Sequence, residues 1–179
     1  QMRALVIGRY QPPHLGHIKV FEEISQSYDE IIIGIGSAEV SHRPDDPFTA
    51  GERIWMLSEI LKKIGHTLFF VVPLVDINRH ALWVRHVESM VPPFDVVFSN
   101  NPLVRRLFME AGYEVKYMPV YNRAVYSGTE IRRRMLMGEE WRNLVPDDVA
   151  DIIDRIDGVT RIVEINQDDK YGTQNTGGM

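Results

Sequence analysis

The stretch Arg3–His17, RALVIGRYQPPHLGH, decides the fold because it passes from an apolar strand through a turn into a helix. Arg3–Gly8 is a short, continuous apolar run, which is typical of a buried strand. Gln11–Pro13 supplies a turn, and Leu15–Ser27 then places apolar residues at helical spacing. A buried strand that leads directly into an amphipathic helix predicts the first half of a strand–helix–strand unit.

The same alternation of strands and helices continues along the chain. We predict four further strands, at Ile31–Gly36, Thr67–Val72, Asp95–Ser99 and Glu114–Met118. Helices are predicted from a Thr49/Glu52 capping box, over Ala81–Val91, over Leu103–Ala111, from a Ser127/Glu130 capping box to Gly138, and from Pro146 to about Ile156. The pattern predicts an α/β fold, a Rossmann-like open parallel sheet with helices on both faces. Ligands of such sheets bind at the carboxyl ends of the strands.

The composition excludes several classes of protein. The chain has 179 residues and no cysteine, which excludes a disulfide framework, cysteine-ligated metal sites and a thiol nucleophile. The formal net charge of -5 argues against non-specific binding to DNA, and no apolar stretch approaches the roughly 18 residues of a membrane span. We predict a cytoplasmic protein with one domain over residues 2–166 and a polar, flexible tail over residues 167–179.

His14 and His17 stand at the predicted start of the first helix. Residues at i and i+3 share a helix face, so both imidazoles would point to the same place. The helix N-terminus adds free N–H groups and a partial positive charge, and Gly16 would leave room for a ligand to pack on the backbone. Together these features indicate a polyphosphate site in which imidazole N–H groups are donors.

Two other interpretations of this pair stay open. The histidines could be ordinary surface residues, since their spacing alone is weak evidence. They could also hold a metal, although zinc hydrolases place two histidines at i and i+4 with a glutamate between them. The common nucleotide-binding loops do not match: no G-x-x-x-x-G-K-[ST] occurs, and Gly34–Glu39 (GIGSAE) leads into a proline-containing polar loop, Ser37–Phe48, where a dinucleotide fingerprint requires a helix.

A second candidate anion site lies at Tyr126–Arg134, YSGTEIRRR, which also opens a helix. Arg132 can form a bidentate contact with phosphate oxygens. Taken alone, this segment favours an ordinary capped helix with solvated arginines. Two helix N-termini with basic residues in one open α/β sheet favour a nucleotide site.

These residues resemble a known superfamily. His14–His17 (HLGH) matches the H-x-G-H motif of the nucleotidyltransferases, and Ser127–Arg132 (SGTEIR) is similar to their second motif. Three longer stretches resemble the archaeal nicotinamide-nucleotide adenylyltransferase family: Gly36–Arg53, Asp76–Val84 and Tyr126–Met135. With the first motif they extend from residue 3 to about residue 160, nearly the whole chain.

The resemblance implies a reaction in which ATP and nicotinamide mononucleotide (NMN) give NAD and pyrophosphate. The NMN phosphate would attack the ATP α-phosphate in line, so no protein nucleophile is needed and catalysis consists of positioning and charge stabilisation. Mg²⁺ would be bound through the ATP phosphates and not by protein ligands. The family also implies a homo-oligomer, a hexamer.

The resemblance assigns roles to individual residues. The catalytic residues would be His14, His17, Arg132 and Arg9. The ATP site would also include Gly8, Tyr10, Gly16, Ser127, Gly128 and Thr129. The NMN pocket would be formed by Ser37, Phe48, Ile77, His80 and Trp83. Trp83 would stack on the nicotinamide ring, although the sequence alone favours a core aromatic residue on a helix.

The chain departs from the family pattern at a few positions. Tyr10 and Pro13 stand where a bulky apolar residue is more usual, and His80 stands where an amide is expected. Asp45 occupies a position at which some relatives have arginine, and Arg43 lies two residues earlier. Two alternative functions stay open: a same-fold adenylyltransferase for phosphopantetheine or FMN, and a non-enzymatic nucleotide-binding regulator.

Overall fold

A computed structural model describes residues 2–65 and 67–167 of the chain. All but the first residue of the predicted tail, 167–179, therefore lies outside the described residues. Within the described part, no helix is both long and apolar enough to cross a membrane.

Five parallel strands form one sheet in the order β3-β2-β1-β4-β5. Their bounds are Arg3–Gly8 (β1), Glu30–Ile35 (β2), Leu68–Pro73 (β3), Val96–Phe98 (β4) and Glu114–Lys116 (β5). The first three strands pair over six residues each, whereas β4 and β5 pair over three. The chain leaves β1 toward β2 and β3 and then crosses to β4, so the strand order reverses between β1 and β4. A crevice for a ligand is expected at the carboxyl ends of these two strands.

Seven α-helices occur in the described residues. They are Leu15–Ser25 (α1), Ala50–Leu61 (α2), Trp83–Met90 (α3), Pro102–Glu110 (α4), Gly128–Met137 (α5), Asp147–Arg155 (α6) and Gly158–Ile165 (α7). Helices α1, α2 and α5–α7 contribute to a core on one face of the sheet, and α3 and α4 contribute to a smaller core on the other. Residues of β1 alternate between the two cores, as the pleat of a strand requires. The predicted sheet with helices on both faces is confirmed.

The structure differs from the sequence prediction mainly beyond β3. The fourth and fifth strands are two residues shorter than predicted, and residues His80–Leu82 form a 3₁₀ turn before α3. Helix α7 was not predicted. It follows α6 after Asp157, whose backbone adopts a left-handed conformation with φ of 54°.

Candidate active site

The start of α1 is capped by the two histidines of the motif. His14 is the N-cap, and its Nδ1 accepts a hydrogen bond of 3.1 Å from the Gly16 N–H. His17 returns the contact, since its Nδ1 accepts a hydrogen bond of 3.0 Å from the His14 N–H. The two rings are stacked with centroids 3.7 Å apart. This is a capping box in which imidazoles replace the usual hydroxyl and carboxylate.

Burial sets the protonation state of both rings, and the capping contacts set their tautomer. Burial lowers the pKa of His14 to about 4, and burial together with the adjacent His14 lowers the pKa of His17 well below 6.5. Both imidazoles are therefore neutral near pH 7. Because each Nδ1 accepts a backbone hydrogen bond, the single proton of each ring lies on Nε2. Both rings line the cleft, to which they offer N–H donors without positive charge.

Gly16 lines the cleft and also has a structural role that was not predicted. A Cβ at this position would lie 2.9 Å from a carbon of the His14 ring and 3.2 Å from the Tyr126 Cβ. The space at Gly16 is therefore taken by the capping imidazole and by the segment that precedes α5. The Tyr10 ring packs 4.7 Å from the His17 ring, and a Cβ at Gly8 would meet it at 3.0 Å. Gly8 and Gly16 thus allow side chains of the site, and not a ligand alone, to approach the backbone.

The α5 N-terminus lies across the same cleft. Ser127 is its N-cap and accepts a hydrogen bond from the Glu130 N–H at 3.1 Å. The reciprocal half of the predicted capping box is wrong, because the Glu130 carboxylate pairs with Arg133 and Arg134. Charge pairing with two guanidinium groups thus replaces the contact with the Ser127 N–H.

Arg132 is folded back toward the turn after β1. Its Nη1 donates a hydrogen bond of 2.7 Å to the Gln11 carbonyl oxygen, and its Nη2 lies 3.5 Å from the Thr129 Oγ1. Gly128 makes this possible, since a Cβ there would lie 2.7 Å from the Arg132 Nη1. The residues Gln11, His14, His17, Thr129 and Arg132 all line one half of the cleft, with a volume of about 390 Å³. The structure therefore brings both sequence motifs together in what we call the phosphate half.

Arg9 lies at the boundary of this half. Its guanidinium is 3.3 Å from a carboxylate oxygen of Asp46, which is buried at the base of the Ser37–Phe48 loop. Beneath them lies Arg53, whose side chain is completely buried. Arg53 donates hydrogen bonds to the carbonyl oxygens of Arg9 and Gly36 at 2.9 and 3.0 Å. It thereby ties together the segments that follow β1 and β2.

The other half of the cleft extends from the ends of β1 and β2 toward α3, with a volume of about 670 Å³. We call it the aromatic half, and its lining includes Ser37, Ile77, His80 and Trp83. The Ser37 hydroxyl donates a hydrogen bond of 2.7 Å to Asp76. Trp83 is only 8% exposed and packs edge-on against a core phenylalanine. It is thus a core residue that also presents part of its surface to the cleft.

Phe48 does not reach the cleft, in contrast to its predicted place in the NMN pocket. Its side chain is fully buried in the larger core. It packs closely at the α6–α7 junction, where a Cβ at Gly158 would lie 3.1 Å from its ring. Its backbone N–H and carbonyl are both bonded to the Gln11 side-chain amide at 2.9 Å. Phe48 therefore anchors the loop and does not contact a ligand in this conformation.

Several functional residues were not predicted from the sequence, among them Gln11, Asn100 and Arg123 in the lining of the cleft and Arg53 buried beneath it. Gln11 and Arg53 act through backbone contacts, and no local motif marks such a role. Asn100 and Arg123 follow β4 and β5, so the rule that sites lie at the carboxyl ends of strands could have pointed to them.

The donor set suits a polyphosphate. Two neutral imidazoles, three arginines and the N-termini of two helices surround the cleft, and all of these groups favour anionic oxygens. In the described residues, no three His, Asp or Glu side chains are grouped as metal ligands.

The comparisons with known proteins agree with this geometry. Residues 5–134 match the cytidylyltransferase-like family model. The nicotinamide-nucleotide adenylyltransferase of Methanothrix thermoacetophila is 58% identical over 93% of this chain and 98% of its own length. That of Archaeoglobus fulgidus is 54% identical over 92% of this chain and 98% of its own.

The solved structures support the fold. A bifunctional NMN adenylyltransferase/ADP-ribose pyrophosphatase from Francisella tularensis, crystallised with AMP and a manganese ion, has a TM-score of 0.72 at 20% identity. The match covers 91% of this chain and 52% of that protein, so this chain spans about half of it. The match of the family model and the identity to full-length relatives show that the chain belongs to the cytidylyltransferase-like nucleotidyltransferases and, among them, to the archaeal nicotinamide-nucleotide adenylyltransferases.

Proposed function

We propose that this chain transfers the adenylyl group of ATP to nicotinamide mononucleotide, releasing pyrophosphate and forming NAD. The observation that carries the proposal is the joining of two unlike compartments at the switch in strand order. One is lined by neutral imidazoles, arginines and helix N-termini, and the other by Trp83, Ile77 and polar groups. A substrate pair made of a triphosphate and a flat, polar ring requires this division.

In the phosphate half, the chain's residues bind and orient ATP. The Nε2–H groups of His14 and His17 donate to phosphate oxygens, and Arg132 takes the β- and γ-phosphates that leave as pyrophosphate. Because neither histidine has to change its protonation state, both donors are already in place when charge develops on the α-phosphate. Preorganised donors of this kind are a large source of transition-state stabilisation.

In the aromatic half, Trp83 offers the exposed part of its ring to the nicotinamide ring, and Ile77 and His80 lie beside it. The Ser37–Asp76 hydrogen bond keeps polar groups at the carboxyl end of β2, close to where the ribose of NMN would lie. The NMN phosphate then points toward Arg9 and the phosphate half. Its oxygen attacks the α-phosphorus, the bond to the β-phosphate oxygen breaks, and the electron pair leaves with pyrophosphate.

Mg²⁺ would enter on the phosphates of ATP, where it would neutralise charge on the leaving pyrophosphate. The cytoplasmic location stays a prediction from the sequence composition, and the homo-oligomeric, hexameric assembly stays a prediction from the family resemblance.

The test is a two-product assay. The purified chain with ATP, Mg²⁺ and NMN is expected to form NAD and pyrophosphate in equal amounts, and neither product without NMN. Arg132→Gln is expected to lower the rate by roughly 10²-fold, because one charged donor to the leaving group is lost. Turnover with phosphopantetheine or FMN in place of NMN would show another acceptor. Binding of ATP without turnover on any acceptor would indicate a regulator.

A further inference from the structure

The junction of the two halves is formed by residues that line both. They are Arg9, Asn100, Met118 and Arg123. If ATP and NMN occupy separate halves, the reacting phosphates meet here. The side chains at this junction therefore face the attacking phosphate and the α-phosphate together.

Three of these residues already have partners or no charge. Arg9 is held by Asp46 at 3.3 Å. The Asn100 amide is bonded at both ends to Met118, since its Oδ1 accepts from the Met118 N–H at 2.7 Å and its Nδ2 donates to the Met118 carbonyl at 3.2 Å. Among the residues that the structure describes, no carboxylate lies within 4 Å of the Arg123 guanidinium, so its charge is unpaired.

The backbone around Arg123 is fixed although its side chain is exposed. The Asn100–Met118 pair anchors the start of the segment between β5 and α5. Tyr121 is anchored to α1 by a hydrogen bond to Glu23. The Asn122 carbonyl accepts hydrogen bonds of 2.9 Å from the N–H groups of Val125 and Tyr126, which closes a turn around Arg123. An unpaired cation is thus held on a built turn at the junction.

We propose that Arg123 binds the 5′-phosphate of the mononucleotide and brings it to the α-phosphate, an inference that rests on the proposed function. The attacking group is a dianion that must approach a polyanion, and both histidines are neutral. Arg132 is held on the ATP side by the Gln11 carbonyl, and the charge of Arg9 at the junction is shared with Asp46. Arg123 supplies the additional positive charge on the acceptor side, and its two-pronged guanidinium can orient two phosphate oxygens. The third oxygen then forms the new P–O bond as pyrophosphate leaves with its electron pair.

The experiment compares ligands that differ only in the phosphate. Arg123→Gln removes the charge, and Arg123→Lys keeps the charge without the fork. Arg106→Gln is the matched control, because Arg106 is an exposed arginine on α4 paired with Glu110 and lies outside the cleft. Each variant is assayed for kcat and for KM of NMN and of ATP, and for inhibition by nicotinamide riboside, which lacks the phosphate. Thermal unfolding of each variant checks the fold.

We expect Arg123→Gln to lower kcat/KM for NMN about 30-fold, which corresponds to the loss of one charge-assisted contact. Arg123→Lys should have an intermediate kcat/KM, and Arg106→Gln should have that of the unmodified chain. Inhibition by the riboside and KM for ATP should change less than about threefold. An equal loss for NMN and riboside would mean that Arg123 only shapes the pocket, and a loss confined to ATP would place it on the triphosphate. Either result overturns the inference. If the unmodified chain forms no NAD from NMN, the proposed function fails with it.

Discussion

At the scale of single residues, the histidine pair shows how one side chain can serve the fold and the site together. The Nδ1 of His17 accepts the hydrogen bond that caps α1, and its Nε2 is left for the cleft. These two atoms can be tested separately, because asparagine and glutamine each imitate one of them. The Asn Oδ1 lies near the position of Nδ1, and the Gln Nε2 lies near that of the imidazole Nε2.

We predict that His17→Asn keeps the cap and loses catalysis. Its kcat should fall by roughly 10²-fold, while the free energy of unfolding should change by less than about 0.5 kcal/mol. His17→Gln should retain more activity and lose about 1 kcal/mol of stability, since the cap acceptor is gone. The measurements are steady-state kinetics and urea unfolding. Equal kcat for both variants would show that the Nε2–H is not the active donor.

The residue scale is also where sequence prediction was least complete. The motif identified His14 and His17, but only the backbone contacts reveal which ring atom carries the proton. Phe48 and Trp83 looked alike in the sequence as aromatic residues in family-like stretches. Whether each side chain can contact a ligand depends on the surface against which it packs, and of the two only Trp83 lies beside the cleft. Arg53 could not be assigned, because its partners are carbonyl groups of distant segments.

At the scale of elements, the contact between α5 and the turn after β1 depends on Gly128. The backbone of Gly128 does not have a positive φ, so its conformation does not require glycine. The Arg132 guanidinium passes over Gly128 to reach the Gln11 carbonyl. A methyl group at Gly128 would collide both with that guanidinium at 2.7 Å and with the Gln11 carbonyl oxygen at 3.2 Å. One of the two contacts must give way, and the arginine side chain moves more easily than the backbone.

We therefore predict that Gly128→Ala lowers activity by displacing the Arg132 guanidinium from the Gln11 carbonyl. The expected loss in kcat/KM for ATP is about 10- to 100-fold, as for a positioning error of about 1 Å, with unfolding midpoints close to the unmodified chain. Gly51→Ala is the control, because it also lies in the first turn of a helix and its Cβ would meet only the Thr49 Oγ1 at 3.9 Å. Full activity in Gly128→Ala would mean that the Arg132–Gln11 contact is dispensable.

The elements themselves were predicted well where hydrophobic runs are bounded by glycine or proline, as in β1 and β2. The Thr49–Glu52 capping box is confirmed in both directions. Helix α7 was missed because an aspartate, Asp157, takes the left-handed conformation that separates it from α6, and sequence signals for such a break rely on glycine. The Glu130 carboxylate could accept from the Ser127 N–H, from Arg133 or from Arg134. The sequence does not indicate which of these donors it contacts.

At the scale of the whole molecule, the net charge of -5 conceals a cleft with the opposite local charge. Arg9, Arg123 and Arg132 are concentrated at one edge of the sheet. The carboxylates of Asp45 and Asp76 also line the cleft, whereas many other acidic residues form surface ion pairs that contribute little each. Burial of neutral histidines in this cleft has a consequence for stability, because the unfolded chain can protonate them and the folded chain resists it.

The last prediction is that acid destabilises the folded chain through the histidine cap, above the range in which carboxylates titrate. The pKa of His14 is about 4 when folded and 6.5 as a reference, so its contribution is complete above pH 6.5 and is lost as pH falls toward 4. Between pH 7 and pH 5 the loss from His14 alone is about 2 kcal/mol, to which His17 adds.

His14→Asn keeps a good N-cap residue and removes the titrating group. Its unfolding free energy, measured by urea at both pH values, should fall by about 2 kcal/mol less than that of the unmodified chain. His42→Asn, at an exposed position in the Ser37–Phe48 loop, should leave the difference intact. Equal pH dependence in all three proteins would show that His14 is not held neutral by the fold.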